Sequence, residues 1–228
     1  MKYIHVTPII LAVILVIGTG IIAFHYSEDI GERITGKTIA RVYITETPPA
    51  NCTVILREGV NIISFYCEPG GGSLDESLRN QEGQVLPYKA VFRHNPLNPQ
   101  NPWQIYNPSL PNYTVQTLST LDRRRGYYII MEEEGTYHRE GFGFQQTTIS
   151  LSQGWNLIGY PSSQERNITQ AINSIEGSIT RVETYEYENG NINHYYYIPG
   201  IGGTLDSMKP YHAYWIHASQ AVTWLVNW

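Results

Sequence analysis

The chain has 228 residues, 42% of them hydrophobic and 15% charged, with a net charge of −5. That length allows one or two domains, and that balance describes a chain with a core, not a disordered one. An acidic chain offers no basic surface, so nucleic acid is not expected as a partner. Tyrosine is in excess, with 18 residues against 5 Phe and 5 Trp, which favours half-buried sheet faces and polar-tipped binding surfaces alike.

No charged residue occurs between Val6 and Phe24, and Ile9 to Ile17 is an unbroken aliphatic run. Nineteen helical residues rise roughly 28 Å, close to the ~30 Å hydrocarbon core, so residues 6–24 read as a lipid-bilayer span. A cleaved signal peptide is the rival reading, but its best small-x-small site, Gly18-Thr-Gly20, is followed at once by more apolar residues. Lys2 precedes the span while Glu28, Asp29 and Glu32 follow it. The positive-inside rule therefore expects a cytoplasmic N-terminus and an ectodomain outside. Residues 1–26 are the signal anchor in this reading and 27–49 a polar stalk, with a strand expected at 41–45.

The next feature is a repeated frame. Leu56-Arg-Glu-Gly-Val-Asn-Ile-Ile63 returns as Leu151-Ser-Gln-Gly-Trp-Asn-Leu-Ile158, 95 positions on. Two such copies predict two tandem domains, at 50–142 and 143–228. Each copy reads as a hairpin, a short helix, a second hairpin and a closing hairpin. The fold class is mostly β (α+β): two hairpin-rich repeats with one short helix each, after the membrane helix.

Cys52 and Cys67 lie on the two arms of the first predicted hairpin, where folding about Gly59-Val60 sets them opposite one another. An even pair in an exported chain predicts a disulfide. Ser73-Leu-Asp-Glu76 fits a capping box with Leu74 and Leu78 on one face, and Ile168, Ile172 and Ile175 make the matching stripe. Gly83 and Gly177 are expected to cap these helices. Arg181–Glu188 and Asn191–Ile198 flank Asn189-Gly190, the strongest short hairpin signal. In copy one, Tyr88–Arg93 and Trp103–Tyr106 enclose a longer loop. Leu118–Ile130 and Leu205–His217 answer one another in the closing unit, ahead of a last strand at 221–226.

The order Gly-Trp-Asn-Leu-Ile-x-x-Pro, short helix, Tyr-rich hairpin, then Gly-Tyr-Trp-Ile resembles a tandem repeat of membrane-anchored cell-surface proteins of archaea and some bacteria. Both copies depart from it: Val60 and Tyr128 stand where the repeat has Trp, and Ala213 where it has Gly. Ile34-Thr-Gly-Lys37 resembles the same archaeal anchors. The resemblance implies display at the cell surface and carries no catalytic residue.

No nucleophile elbow, zinc-protease, P-loop or dinucleotide pattern is present, and no metal or other cofactor is expected. His212 and His217 flank a strand and point to opposite faces, against a shared metal. Glu132–Glu134 and Arg123–Arg125 read as solvated turns, and Trp155 and Trp215 as core. The candidate glycan- or partner-binding residues are Trp103, Tyr106, Tyr185, Tyr187, Tyr195 and Tyr197, weighed against cross-strand packing. Asn51, Asn112 and Asn167 head N-glycosylation sequons. The expected function is a structural or adhesive surface protein without catalysis. It would bind an envelope polymer, a surface-layer protein or another copy of itself. A carbohydrate-binding module is the alternative. A hydrolase using Glu183, Glu186, Glu188 or Asp206 comes last, since these form no recognisable pair.

Overall fold

The computed structural model describes residues 49–228 other than 69, 112, 143–145, 189, 190 and 228. The membrane span, the stalk strand, the Asn189-Gly190 turn and Asn112 lie outside the described residues. No helix among the described residues is long and apolar enough to cross a membrane.

The chain is built of antiparallel strands. The first half carries β1 (Pro49–Leu56), β2 (Gly59–Ile63), β3 (Tyr88–His94), β4 (Trp103–Tyr106), β5 (Tyr127–Met131) and β6 (Gly135–Phe142), with helix α1 at Leu74–Ser77. The second half carries β7 (Gln146–Leu151), β8 (Gly154–Gly159), β9 (Arg166–Asn167), β10 (Ile179–Glu188), β11 (Asn191–Ile198), β12 (Gly202–Gly203), β13 (Ser207–Met208), β14 (Ala213–Ala218) and β15 (Val222–Asn227). Its helix, α2, is Ile168–Ile172.

The first and closing hairpins expected from the sequence do not form. β1 pairs with β6 and β2 with β5, so the two-residue connection Arg57-Glu58 carries the chain from one sheet to another. In the second half β7 pairs with β15 and β8 with β14. The repeated Gly-x-Asn frame is what makes the corner. Gly59 and Gly154 have φ of 87° and 91°, a region that a side chain would strain. Asn61 Oδ1 accepts the Arg57 N–H at 3.0 Å while its Nδ2 donates to the Arg57 carbonyl at 2.7 Å. Asn156 repeats this on Ser152, at 2.9 and 2.7 Å. The motif is an architectural joint that satisfies the backbone groups a hairpin would otherwise have paired.

Each half is therefore a two-layer sandwich, the β1–β6 or β7–β15 ribbon over a larger sheet. The larger sheets run β2-β5-β3-β4 and β12-β11-β10-β14-β8. Registers agree between halves: Leu56↔Gly135 matches Leu151↔Val222, and Asn61↔Ile129 matches Asn156↔Ile216. Val91↔Tyr106 matches Val182↔Tyr197, and both β3 and β10 shift register at the same place against their central strand. The β3–β4 and β10–β11 hairpins form as the sequence predicts.

Each half has its own core. Phe65, Tyr127 and Tyr137 fill the first, with the Phe65 and Tyr137 rings 4.5 Å apart. Trp224 stands in Tyr137's place in the second, and its Nε1 donates to the Ala171 carbonyl at the end of α2. Tyr127 accepts the Asp122 N–H and Tyr214 the Lys209 N–H, both at 2.7 Å, so the same buried phenol pins the same loop twice. Burial pushes both phenols above their ordinary range.

The Ser73–Glu76 capping box is present, with Ser73 N–H donating to Glu76 Oε2 at 2.8 Å. The expected glycine caps are not. α1 ends at Ser77, and Gly83 instead closes a turn that Asn80 builds with Gln84; Gly177 lies in a 3-10 turn at Glu176–Ser178. Cys52 and Cys67 are joined, with Cα atoms 6.2 Å apart. They are not partners across one hairpin: Cys52 sits on β1 opposite Arg139, and Cys67 lies beyond β2, so the bridge ties the two layers.

Residues Thr47–Trp228 form one compact unit, and the halves meet within it reciprocally. Ser64 N–H donates to the Tyr211 carbonyl at 2.8 Å, and its counterpart Gly159 N–H donates to the Arg124 carbonyl at 3.1 Å, Arg124 being the counterpart of Tyr211. The bridge Ile63↔His212 is likewise answered by Ile158↔Arg125. Residue i of one half meets residue j of the other, and their equivalents meet in return, which is the signature of an isologous, twofold contact. Near the axis, a Cβ on Gly126 would stand 2.7 Å from the Cβ of Ala213, its own equivalent. Arg123 and Arg125 are accordingly not a solvated turn. Both are half-buried, and Arg123 Nε donates to Thr147 at 3.1 Å; only Arg124 is exposed, paired with Asp122.

Candidate functional site

The inter-half contact is made by the outer faces of the two large sheets, and its two ends differ. At one end Trp103, His94, Trp215 and Trp155 form a continuous run of edge-on contacts, with neighbouring centroids 5.0 to 6.3 Å apart. Such tilted geometries suit the aromatic quadrupole. Trp103 is 41% exposed and Trp155 38%, and Trp215 is half-buried. The expectation that Trp155 and Trp215 are core residues is thus overturned. Strand alternation sends Asn156, Ile158 and Ile216 inward, so their neighbours face out. His94 Nδ1 is buried with no partner among the described residues, and burial holds the imidazole below its usual range.

The opposite end carries the equivalents of these residues. Val60 stands in the place of Trp155, His194 in that of Trp103 and Tyr185 in that of His94. With valine where the other half has an indole, this end is open. It forms a cleft of about 310 Å³ between β2 and the facing residues of β10 and β11, walled by Val60, Ile62, Tyr185, Tyr187 and Ile192. Val60 is 56% exposed and Ile192 70%. The cleft opens onto a broader concavity bordered by Arg57, Glu58 and Glu134, which gives an apolar centre with a charged rim. The Arg57 guanidinium lies 5.8 Å from the Tyr187 ring centroid, in cation–π range.

One carboxylate reaches the floor. Glu186 Oε1 lies 3.3 Å from His212 Nε2 and 3.2 Å from Lys209 Nζ. The hydrogen bond from His212 outweighs the effect of burial and, with Lys209, holds Glu186 down to about 2, so it is ionised and already partnered. Tyr211 lines the same floor with φ of 63°, the one non-glycine residue at positive φ among the described residues. A tyrosine there is strained and is held by its surroundings. Its hydroxyl accepts the Thr53 N–H at 2.9 Å, and its ring lies 4.9 Å from Tyr66, inside the first half.

The structure separates the tyrosines grouped by sequence. Tyr185 and Tyr187 face the cleft, whereas Tyr195 and Tyr197 pair opposite Thr184 and Val182 on the inner face and pack in the second core. The four do not share a platform, because a hairpin places i and its partner on one face and their neighbours on the other. Trp103 faces outward, but Tyr106 faces inward and donates to Asp75 Oδ2 at 3.3 Å, bracing the sheet on α1 beside Tyr88. Asn51 is exposed on β1; Asn167 is exposed but serves as the N-cap of α2, accepting the Thr169 N–H at 3.0 Å. Glu183, outside the cleft lining, is bound to Arg181 at 2.7 Å and lies 3.2 Å from His194. Glu132–Glu134 are exposed, as a solvated turn requires, and no group of metal-ligating side chains is found among the described residues. Sequence reasoning missed Glu186's position, His212, Tyr211 and Ile192 as neighbours. The signal it did hold was Val60 at the position of a tryptophan. The chain matches no protein-family model, no curated protein and no solved structure.

Proposed function

We propose that this chain is a non-catalytic recognition module of a cell envelope. In this reading it is held to a bilayer through residues 6–24, and its ectodomain, a tandem duplication with copies at 50–142 and 143–228, binds a surface-layer protein or another envelope component. The observation that carries it is how the two halves divide their residues. What they share (the Gly-x-Asn joints, the pinned phenols, the matched registers) is spent on folding. They differ in the core as well, at the Cys52–Cys67 bridge and at Tyr137 and Trp224, but on the outer sheet faces one end is filled by tryptophans and the other is an open cleft with a charged rim. A fixed frame with a differentiated surface suits binding. The one carboxylate of the cleft, Glu186, is tied to Lys209 and His212 and is a poor general acid or base, which favours binding over hydrolysis.

The test is pelleting of the soluble ectodomain with isolated envelopes, before and after protease treatment, beside a glycan panel. Saturable binding that protease removes supports the reading. Binding that survives protease and is competed by a glycan would replace it with the carbohydrate-binding alternative, for which the half-exposed Trp103 and Trp155 are the relevant surface.

A further inference from the structure

We propose that the cleft walled by Val60, Tyr185, Tyr187 and Ile192 binds the indole of a tryptophan presented by a partner polypeptide. This rests on the recognition reading above and names the occupant of that site.

The chain itself shows what fills this space. The twofold relation of the halves carries the cleft onto the Trp155 end, where an indole stands on the edge strand, 5.0 Å from His217 and 6.3 Å from Trp215. In the cleft the edge strand offers Val60 instead, beside Ile130, the counterpart of His217. The cleft is continuous with an interface that is already closed at its other end by aromatic rings. Its open end lacks one ring.

The lining agrees with an indole more than with a sugar. A sugar presents hydroxyls all round and needs many free donors and acceptors. Here the walls are aliphatic and tyrosyl, Asn61 is engaged in its own joint, Arg57 lies against the Tyr187 ring, and the cleft's one carboxylate is already bonded by Lys209 and His212. A carboxylate has about four lone-pair sites, so Glu186 retains capacity for the single N–H that an indole brings. Tryptophan is also, with tyrosine and arginine, one of the side chains enriched as anchors in desolvated pockets ringed by contacts that exclude water. Arg57, Glu58 and Glu134 supply that ring of both charges, placed to meet the backbone and flanks of a bound segment.

The experiment uses the full-length protein in detergent micelles with ¹³C-labelled Val and Ile methyl groups. The probe is a capped Gly-Trp-Gly peptide, with Gly-Ala-Gly and methyl glucoside as controls. An indole ring seated in the cleft moves the Val60 and Ile192 methyl signals upfield through its ring current, a shift that neither control can produce. Tyr187→Ala weakens the peptide by about tenfold, the loss typical of one aromatic wall. Val60→Trp, which places the chain's own indole there, shifts the Ile192 methyls before any peptide is added and abolishes the further shift on adding it, with an unchanged melting temperature. Absence of the upfield shift, its persistence in Val60→Trp, or displacement of the same methyls by methyl glucoside alone would each overturn the proposal. If the peptide fails while envelope binding persists, the recognition reading stands and the indole assignment falls.

Discussion

The indole Nε1 of Trp215 donates to the hydroxyl of Tyr128 at 3.0 Å, and these two residues are equivalents, 87 positions apart. A residue that touches its own counterpart lies at the symmetry axis. The halves are thus packed as a dimer is packed, although one chain supplies both. Differences between equivalents then acquire meaning: Gly126 faces Ala213, Ser64 faces Gly159, and Val60 leaves open what Trp155 fills.

The axis contact predicts a compensating pair. In Gly126→Ala the new Cβ meets the Ala213 Cβ and the Ile158 carbonyl at under 3 Å, so overpacking costs about 1–3 kcal/mol. Ala213→Gly alone costs about 1 kcal/mol or less. The double variant restores one methyl and one hydrogen at the axis and recovers part of the loss. A double-mutant cycle in urea should show a favourable coupling of about 1 kcal/mol. Strict additivity would mean the halves do not meet as described.

The Gly-x-Asn joint predicts unequal costs in the two halves. Asn156 is buried at 1% exposure, and Asn156→Ala strands the Ser152 and Gly154 backbone groups, a loss of about 3 kcal/mol. Asn61 stands closer to solvent beside exposed Arg57, so Asn61→Ala costs about 1–2 kcal/mol, since water reaches the freed groups. Chemical denaturation of the two variants checks the order.

Removing the Cys52–Cys67 bridge, which closes a separation of 15 residues, should cost about 3 kcal/mol on the chain-entropy account. Reductant should lower the melting temperature of the wild type and leave that of a Cys52→Ala/Cys67→Ala variant unmoved. Rapid alkylation of both thiols in unreduced, exported protein would contradict the pairing.

Glu186 predicts an acid limb. Its folded pKa is depressed to about 2, below the ordinary value of 4.5, so the unfolded chain binds more protons between these values. Stability from this group is complete above about pH 5 and is lost as pH falls through the folded value. Glu186→Gln removes that limb: its stability should fall less than the wild type's between pH 5 and 2. Parallel curves would show that Glu186 has no special role there.

Much of this architecture was legible in the residues themselves. The frame Gly59-Val-Asn61 and its echo Gly154-Trp-Asn156 announced an internal equivalence, Ser73 and Glu76 announced the cap, and Tyr88–Arg93 with Trp103–Tyr106 announced a hairpin. The pairing of β1 and β2 was misread because a short Gly-bearing turn between apolar runs has the look of a hairpin. The partners actually taken, β6 and β5, lie far downstream, and alternation reports which face a residue takes, not which strand it meets. Trp155 was misplaced for a related reason: an aromatic in an apolar motif need not point inward. The cleft joins Val60, Tyr187 and Tyr211 from three distant segments, so only topology could assemble it.

The most direct measurement compares wild-type protein and Val60→Trp for pelleting with isolated envelopes, at matched melting temperature. Recognition through the cleft requires saturable binding by the wild type and its loss, by about tenfold or more, when the cleft is filled from within. Equal binding by both proteins would contradict it.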